Sequence, residues 1–224
     1  MLVYLNPLSL FPDLHSDTIF GALTYAINLI FPEKVDSMIK EFETETPPFI
    51  VSSTFPCIYE DNEKIRFYPK IIIKKEAGLT DEQINIDDLK NYKKINFLEE
   101  EIFFKLLNGE LTSDDIIKNY ADYYNVMDLL LKNNNCKDFK YHDAVKPNNS
   151  INRLSNESEG VFYSEGREFK NLGLFFLIEF NNLEYEPVVK AAIKFLKDRG
   201  FGPDISTGKG QFDYEIVDYN ISDE

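Results

Sequence analysis

The sequence predicts an α+β fold with a βαββαβ core, and three observations carry that prediction. An apolar run opens the chain and apolar residues alternate near its end, as in strands, and apolar residues recur at helical spacing just inside those runs. The later of the two helices is bounded by Pro187 and Gly200, the order in which helices start and stop. Aromatics are plentiful, with 19 Phe and 13 Tyr among 224 residues, so a substantial packed core can form.

Taken in order, residues 1–8 (MLVYLNPL) read as a first strand ended by Pro7. A turn at Phe11-Pro12-Asp13 leads to Ser16-Asp17, a suitable N-cap, and a helix over about 17–31. Ile19, Phe20, Leu23, Ile27 and Ile30 share one face of it. Gly21 inside that helix costs roughly 1 kcal/mol against Ala, which close packing or a close ligand would explain. Strand-like runs follow at 48–55 and 65–73. Residues 76–132 are acidic with helical periodicity, and predict a helical insertion over about 76–135 that ends in Lys132-Asn-Asn-Asn135. The polar segment 140–170 fits either a long β-hairpin or a partly disordered excursion. The apolar run 172–180 (LGLFFLIEF) predicts a central strand, and 185–199 a helix burying Val189, Ala192, Ile193 and Leu196. Phe212, Tyr214 and Ile216 then alternate with Asp213 and Glu215 in a half-solvated final strand. With both excursions set aside, the order is that of a ferredoxin-like (RRM-like) domain: one antiparallel four-stranded sheet with two helices on one face.

The net charge is −15, a poor average for a nucleic-acid binder, but its distribution is uneven. Residues 33–63 carry −6, 76–122 carry −7 and 213–224 carry −5, whereas 64–75 carry +5 and 194–211 carry +2. A basic strip can therefore face a polyanion while acidic surface meets solvent or a basic partner. Two cysteines, Cys57 and Cys136, give neither a disulfide framework nor a zinc site and suit a reducing cytoplasm. No cofactor or metal is expected. The sequence has no membrane-spanning run and no signal pattern, so a soluble, cytoplasmic chain without membrane contact is expected.

Arg199-Gly-Phe-Gly-Pro-Asp-Ile-Ser-Thr-Gly-Lys-Gly210 joins the second helix to the last strand. Gly200, Gly202, Gly208 and Gly210 strip bulk from a backbone that also carries Arg199, Ser206, Thr207 and Lys209. Such a loop can bring amides, hydroxyls and cations close to phosphate, or serve only as a flexible connection. It is not a nucleotide-hydrolase loop, because the glycine spacing differs, Gly210 replaces the hydroxyl residue and the loop follows a helix.

Three segments resemble the RAMP superfamily of CRISPR proteins, and within it the Csm-type subunit that caps the crRNA 5′ handle in type III-A effector complexes. They are Leu14-His-Ser-Asp-Thr-Ile-Phe-Gly-Ala-Leu23, Asn149-Ser-Ile-Asn-Arg-Leu154 with the later Gly160-Val-Phe-Tyr163, and Asp198-Arg-Gly-Phe-Gly-Pro-Asp-Ile-Ser-Thr-Gly-Lys-Gly-Gln-Phe212. The resemblance spans most of 1–217. It implies a non-catalytic, antiviral-defence subunit that grips crRNA and docks to a large polymerase-like Cas subunit and to the Csm backbone subunit. It also implies that 140–170 is a thumb wedging between guide and target, with Asn149, Arg153 and Leu154 at work. The family's second ferredoxin-like domain is expected to be absent from this single domain of 1–224, as a truncation or as a compact variant.

Each candidate residue has a plainer role beside the RNA-binding one. His15 fits a contact to RNA, packing against the glycine loop, or the general base of a processing endoribonuclease, which would also need a second acid or a fixed cation. Ser16 fits a helix cap first and a phosphate contact second. Lys70 fits a solvated edge lysine or an RNA contact. Arg153 fits phosphate binding, base stacking or simple exposure. Phe201 fits base stacking or a core anchor for the loop. A pure protein scaffold is the remaining functional class.

Overall fold

The structure, a computed structural model, describes residues 1–12, 14–60, 63–71, 85–131, 139–202 and 205–219. The chain opens with β1 (Leu2–Pro7), α1 (Ser16–Ile30), α2 (Pro32–Phe42) and β2 (Phe49–Val51). There follow β3 (Phe55–Glu60), β4 (Glu63–Pro69), α3 (Ile86–Lys94), β5 (Phe97–Glu99), α4 (Glu100–Leu107), α5 (Ser113–Lys118), β6 (Tyr124–Val126) and β7 (Leu129–Leu131). It closes with β8 (Lys140–Ile151), β9 (Ser158–Lys170), β10 (Leu172–Phe180), α6 (Glu186–Arg199) and β11 (Phe212–Val217). Two compact units result: Met1–Thr54 with Lys140–Asn220, and a second formed chiefly by Phe55–Phe139.

The first unit holds the predicted core. β1 pairs antiparallel with β10 (Val3↔Phe176) and with β11 (Tyr4↔Glu215), while β10 pairs antiparallel with β2 (Ile178↔Val51). The order β11-β1-β10-β2 is that of two interleaved split βαβ units, β1-α1-β2 and β10-α6-β11. Val3, Leu5, Phe176 and Ile178 of the sheet meet Ile19, Leu23 and Ile27 of α1 and Val189, Ile193 and Leu196 of α6. Each such side chain, fully buried, contributes about 1.5–3 kcal/mol. Leu2, Tyr4 and Phe175, on the opposite sheet face, are buried as well. Burial on both faces explains why LGLFFLIEF is a continuous apolar run and not an alternating one.

Several sequence expectations need correction. The 65–73 run is not a core strand: its ordered part is β4, in the second unit, and residues 72–73 lie outside those described. The predicted insertion holds the helices α3, α4 and α5, and short strands accompany them in a unit that begins near Phe55. There β3 and β4 form a hairpin (Cys57↔Arg66), β5 joins β4 antiparallel, and β7 runs parallel to β5 and antiparallel to β6. Ile95, Leu98, Ile102, Leu106, Ile116 and Leu130 form its core, and a capping box between Thr112 and Asp115 starts α5. The 132–135 turn lies outside the described residues. The 140–170 segment is a regular hairpin, β8 paired with β9 in near-continuous register from Lys140↔Lys170 to Ile151↔Ser158.

Desolvation pushes the thiol of buried Cys57 up to about 12, so it is protonated and inert at neutral pH. Among the described residues no His, Cys, Asp or Glu cluster could hold a metal ion, and no helix is long and apolar enough to cross a membrane.

Gly21 is exposed, and a Cβ added there would meet nothing within 4 Å. Neither close packing nor strained backbone requires it within the chain. Gly21→Ala should therefore raise stability by about 0.5–1 kcal/mol in urea unfolding; a loss would show that the helix bends or packs there.

Candidate nucleic-acid interface

The glycine loop closes on itself. At the end of α6 the Gly200 N–H donates to the Leu196 carbonyl at 2.6 Å, with φ of +92°. Phe201 N–H donates to Gly210 O at 2.9 Å, Gly210 N–H to Leu10 O at 2.8 Å, and Gly208 N–H to Ile205 O at 3.0 Å. Gln211 N–H reaches Ser9 Oγ at 3.0 Å. The expectation of a bare main-chain cradle is thus corrected for these amides: they turn inward, each onto a carbonyl or hydroxyl of the chain. Glycine serves close approach instead. A Cβ on Gly210, at φ of +67°, would stand 1.7 Å from the Phe201 carbonyl oxygen.

Phe201 is the anchor of the loop. Its ring is buried edge-on to Phe11, with centroids 5.9 Å apart, and 5.2 Å from the ring of Phe212. What the loop presents outward is chemical, not conformational. Ser206, Thr207 and Gly208 are exposed around the short turn Ile205–Thr207, and Lys209 is half-buried beside them. Gly202 is exposed and lies against Pro12. The Arg199 guanidinium lies 5.0 Å over the ring of Tyr25 on α1, which orients it by cation–π attraction.

Residues 8–12, with Leu14 and His15, are the hub that gathers the rest. Leu8 N–H donates to Gln211 O at 2.8 Å, tying this segment to the loop. Phe11 exchanges two backbone hydrogen bonds with Arg167 at 3.0 and 2.8 Å, fixing the root of the hairpin. Gly166 lets that approach happen, since its Cβ would stand 3.2 Å from Leu10 and Phe11 atoms. His15 is exposed at the N-cap position of α1, where its side chain caps nothing. Ser16 is not the cap that the sequence suggested. It is the first helical residue, and its N–H is satisfied by Ser53 Oγ at 3.1 Å.

Other predicted residues belong to other elements. Asn149 is opposite Val161 on the hairpin, its Oδ1 accepting from Ser158 Oγ at 2.6 Å. That position is about 20 Å along the strand from the Arg167 root. Beyond it, Asn152 builds the tip by accepting from the Leu154 and Ser155 N–H groups at 2.9 and 3.3 Å. Arg153 is exposed there, and Leu154 is 98% exposed. Lys70 belongs to the second unit. Its ammonium donates to the carbonyls of Tyr92 at 2.9 Å and Lys93 at 3.5 Å, and lies 4.9 Å over the Tyr92 ring. It caps the C-terminal end of α3, and desolvation lowers its pKa; a solvated edge lysine it is not. Sequence reasoning missed Ser9, Leu10, Tyr25, Ser53 and Gly166. Gly166 carried a signal, being a glycine inside a strand, where another backbone often approaches.

No protein-family model matches the sequence, and no curated protein matches it. Solved structures do. A crystal structure of a Csm3–Csm4 subcomplex of the type III-A CRISPR-Cas interference complex aligns with a TM-score of 0.63 and 22% identity, over 98% of this chain and 70% of that one. A Csm1–Csm4 cassette in complex with cA4 aligns at 0.51 and 17% identity, over 97% and 70%. The same cassette with one ATP aligns at 0.52 and 18% identity, over 97% and 70%. The chain shares the fold of these structures, ferredoxin-like and α+β.

Proposed function

We propose that this chain is a non-catalytic RNA-binding subunit of a type III-A CRISPR effector complex, holding the crRNA 5′ handle and docking to the large polymerase-like and backbone subunits. One observation carries the reading. The loop that carries Ser206, Thr207 and Lys209 is tied by backbone hydrogen bonds to Leu8 and Leu10, which precede α1, Phe11 is tied to the hairpin root at Arg167, and Arg199 lies over Tyr25 of α1. The fold is the one found in the Csm3–Csm4 and Csm1–Csm4 assemblies. Hydroxyl and cation contacts to phosphate would position RNA without reading its bases, and α1 would add its N-terminal end near His15 and Ser16.

Catalysis is the weaker reading. General acid–base cleavage needs a second group fixed near the scissile phosphate. The one other histidine, His142, lies on the hairpin 3.6 Å from Glu168. The inward amides favour a protein scaffold as the serious competitor.

Co-purification with the neighbouring subunits, with sequencing of bound RNA, tests the proposal. Handle RNA should be recovered uncut from wild type and from His15→Ala alike. Arg199→Ala with Lys209→Ala should weaken handle binding about tenfold at 0.15 M salt and flatten the salt dependence by roughly 0.7 log units per lost phosphate contact. Cleavage abolished by His15→Ala would install the endoribonuclease reading. Unchanged RNA affinity would install the scaffold.

A further inference from the structure

The β8–β9 hairpin has two chemically different faces. Residues directly opposite in an antiparallel ladder share a face, and neighbours along each strand alternate between faces. One face carries Val145 opposite Glu165, Pro147 opposite Tyr163 and Asn149 opposite Val161. Val145, Val161 and Tyr163 are 58%, 61% and 68% exposed, and Pro147 is exposed beside them. The other face carries Lys140 opposite Lys170, His142 opposite Glu168, and Lys146 opposite Ser164, with exposed Phe162 further out. Lysines and an aromatic ring therefore share one side, and aliphatics with Tyr163 share the other.

Charge on the apolar face is sparse and negative. Its cation, Arg167, is matched by Asp143 at 3.0 Å and lies 5.3 Å over the Tyr141 ring. That leaves the exposed carboxylate of Glu165. Single-stranded RNA is bound by cations interleaved with stacking platforms, and this face offers phosphate a carboxylate instead. A contiguous exposed apolar set of this kind marks a protein contact. Isolated two-stranded hairpins are also marginal in water, so a cover would stabilise strands of 12 and 13 residues.

We infer that the Val145–Pro147–Val161–Tyr163 face docks a neighbouring protein subunit through an apolar patch bordered by Lys or Arg. Tyr163 is the anchor, the valines and proline exclude water around it, and Glu165 pairs with the basic border. The inference rests on the proposed function for the existence of a neighbouring subunit. It adds to that reading which face of the hairpin meets protein.

The test adds this chain back to a complex assembled from the other subunits and crRNA, and measures its uptake. Val161→Thr with Tyr163→Ala should weaken uptake at least about tenfold, the loss typical of an interface anchor. Glu165→Lys should weaken it severalfold, while the thermal midpoint and the chain's own RNA affinity stay unchanged in both variants. Lys146→Ala should leave uptake intact. Equal uptake by wild type and both apolar-face variants overturns the inference and leaves the proposed function standing. So does a parallel fall in RNA affinity, which would make this an RNA surface. Self-association of the isolated chain, abolished by the same substitutions with uptake unchanged, would assign the face to a second copy and also overturn it. A wild-type chain that takes up neither RNA nor subunits overturns the proposed function itself.

Discussion

Gly210→Ala is expected to destabilise the first unit by about 3 kcal/mol or more, lowering its thermal midpoint by roughly 6–12 °C. The added Cβ would lie 1.7 Å from the Phe201 carbonyl oxygen and 2.6 Å from its carbon. Both are backbone atoms, so no side-chain rotation relieves the clash. The left-handed φ of +67° adds its own penalty for an L side chain, about 1–2 kcal/mol. Escape would break the Phe201 N–H to Gly210 O and Gly210 N–H to Leu10 O bonds, each worth about 1 kcal/mol net. Gly208 is the control. It too has positive φ, +79°, but a Cβ there meets nothing within 4 Å, so Gly208→Ala should cost only about 1 kcal/mol. Urea unfolding of the two variants side by side checks the argument. Equal, small losses would mean that the loop is not stapled at Gly210.

That contrast also marks what the sequence could and could not say about the site. Glycine positions and the neighbouring hydroxyls and cations were legible as a loop suited to close approach. What approaches was not. The partners of the loop amides, Leu10 and Ser9, lie about two hundred residues earlier in the chain, and no local pattern shows whether an N–H turns toward them or toward solvent. Ser16 shows the same limit at shorter range. Its identity fits an N-cap, but Ser53 supplies the hydroxyl instead. Lys70 sits in a basic stretch, and only tertiary structure brings the end of α3 under its ammonium.

The fold was most legible where burial writes a strong local pattern. β10 is buried on both faces and reads as one apolar run; α6 shows Val189, Ile193 and Leu196 at helical spacing between Pro187 and Gly200. α2 was missed because Pro32 after Phe31 reads as a break, whereas here the proline starts a new helix. That helix buries only Met38 fully, with Val35 and Phe42 packed partly against the core. In the second unit, β5, β6 and β7 are three residues each, too short for periodicity to separate from a helical segment. Their pairing is tertiary, since β5 and β7 run parallel across two intervening helices.

Arg66→Met should cost about 2–4 kcal/mol, and replacing its partner as well should recover most of the loss. Arg66 on β4 holds Glu100 in a two-pronged ion pair, Nε to Oε1 at 2.6 Å and Nη2 to Oε2 at 2.7 Å. Tyr68 donates a third bond to Oε1 at 3.2 Å. The side chains are only 17% and 22% exposed, so the pair is partly desolvated, and losing Arg66 takes both ion-pair contacts from the Glu100 carboxylate. Glu100 also begins α4, where a carboxylate is favoured by the helix dipole. The single substitution Glu100→Leu should therefore also be destabilising. The double variant exchanges the pair for apolar contact beside Tyr68 and Phe103, which stack at 4.8 Å. A double-mutant cycle by urea unfolding reads the coupling directly. A value of about 1.5 kcal/mol or more is expected, and costs that simply add, within about 0.5 kcal/mol, would show that the pair is a surface bridge with no part in holding β4 to α4.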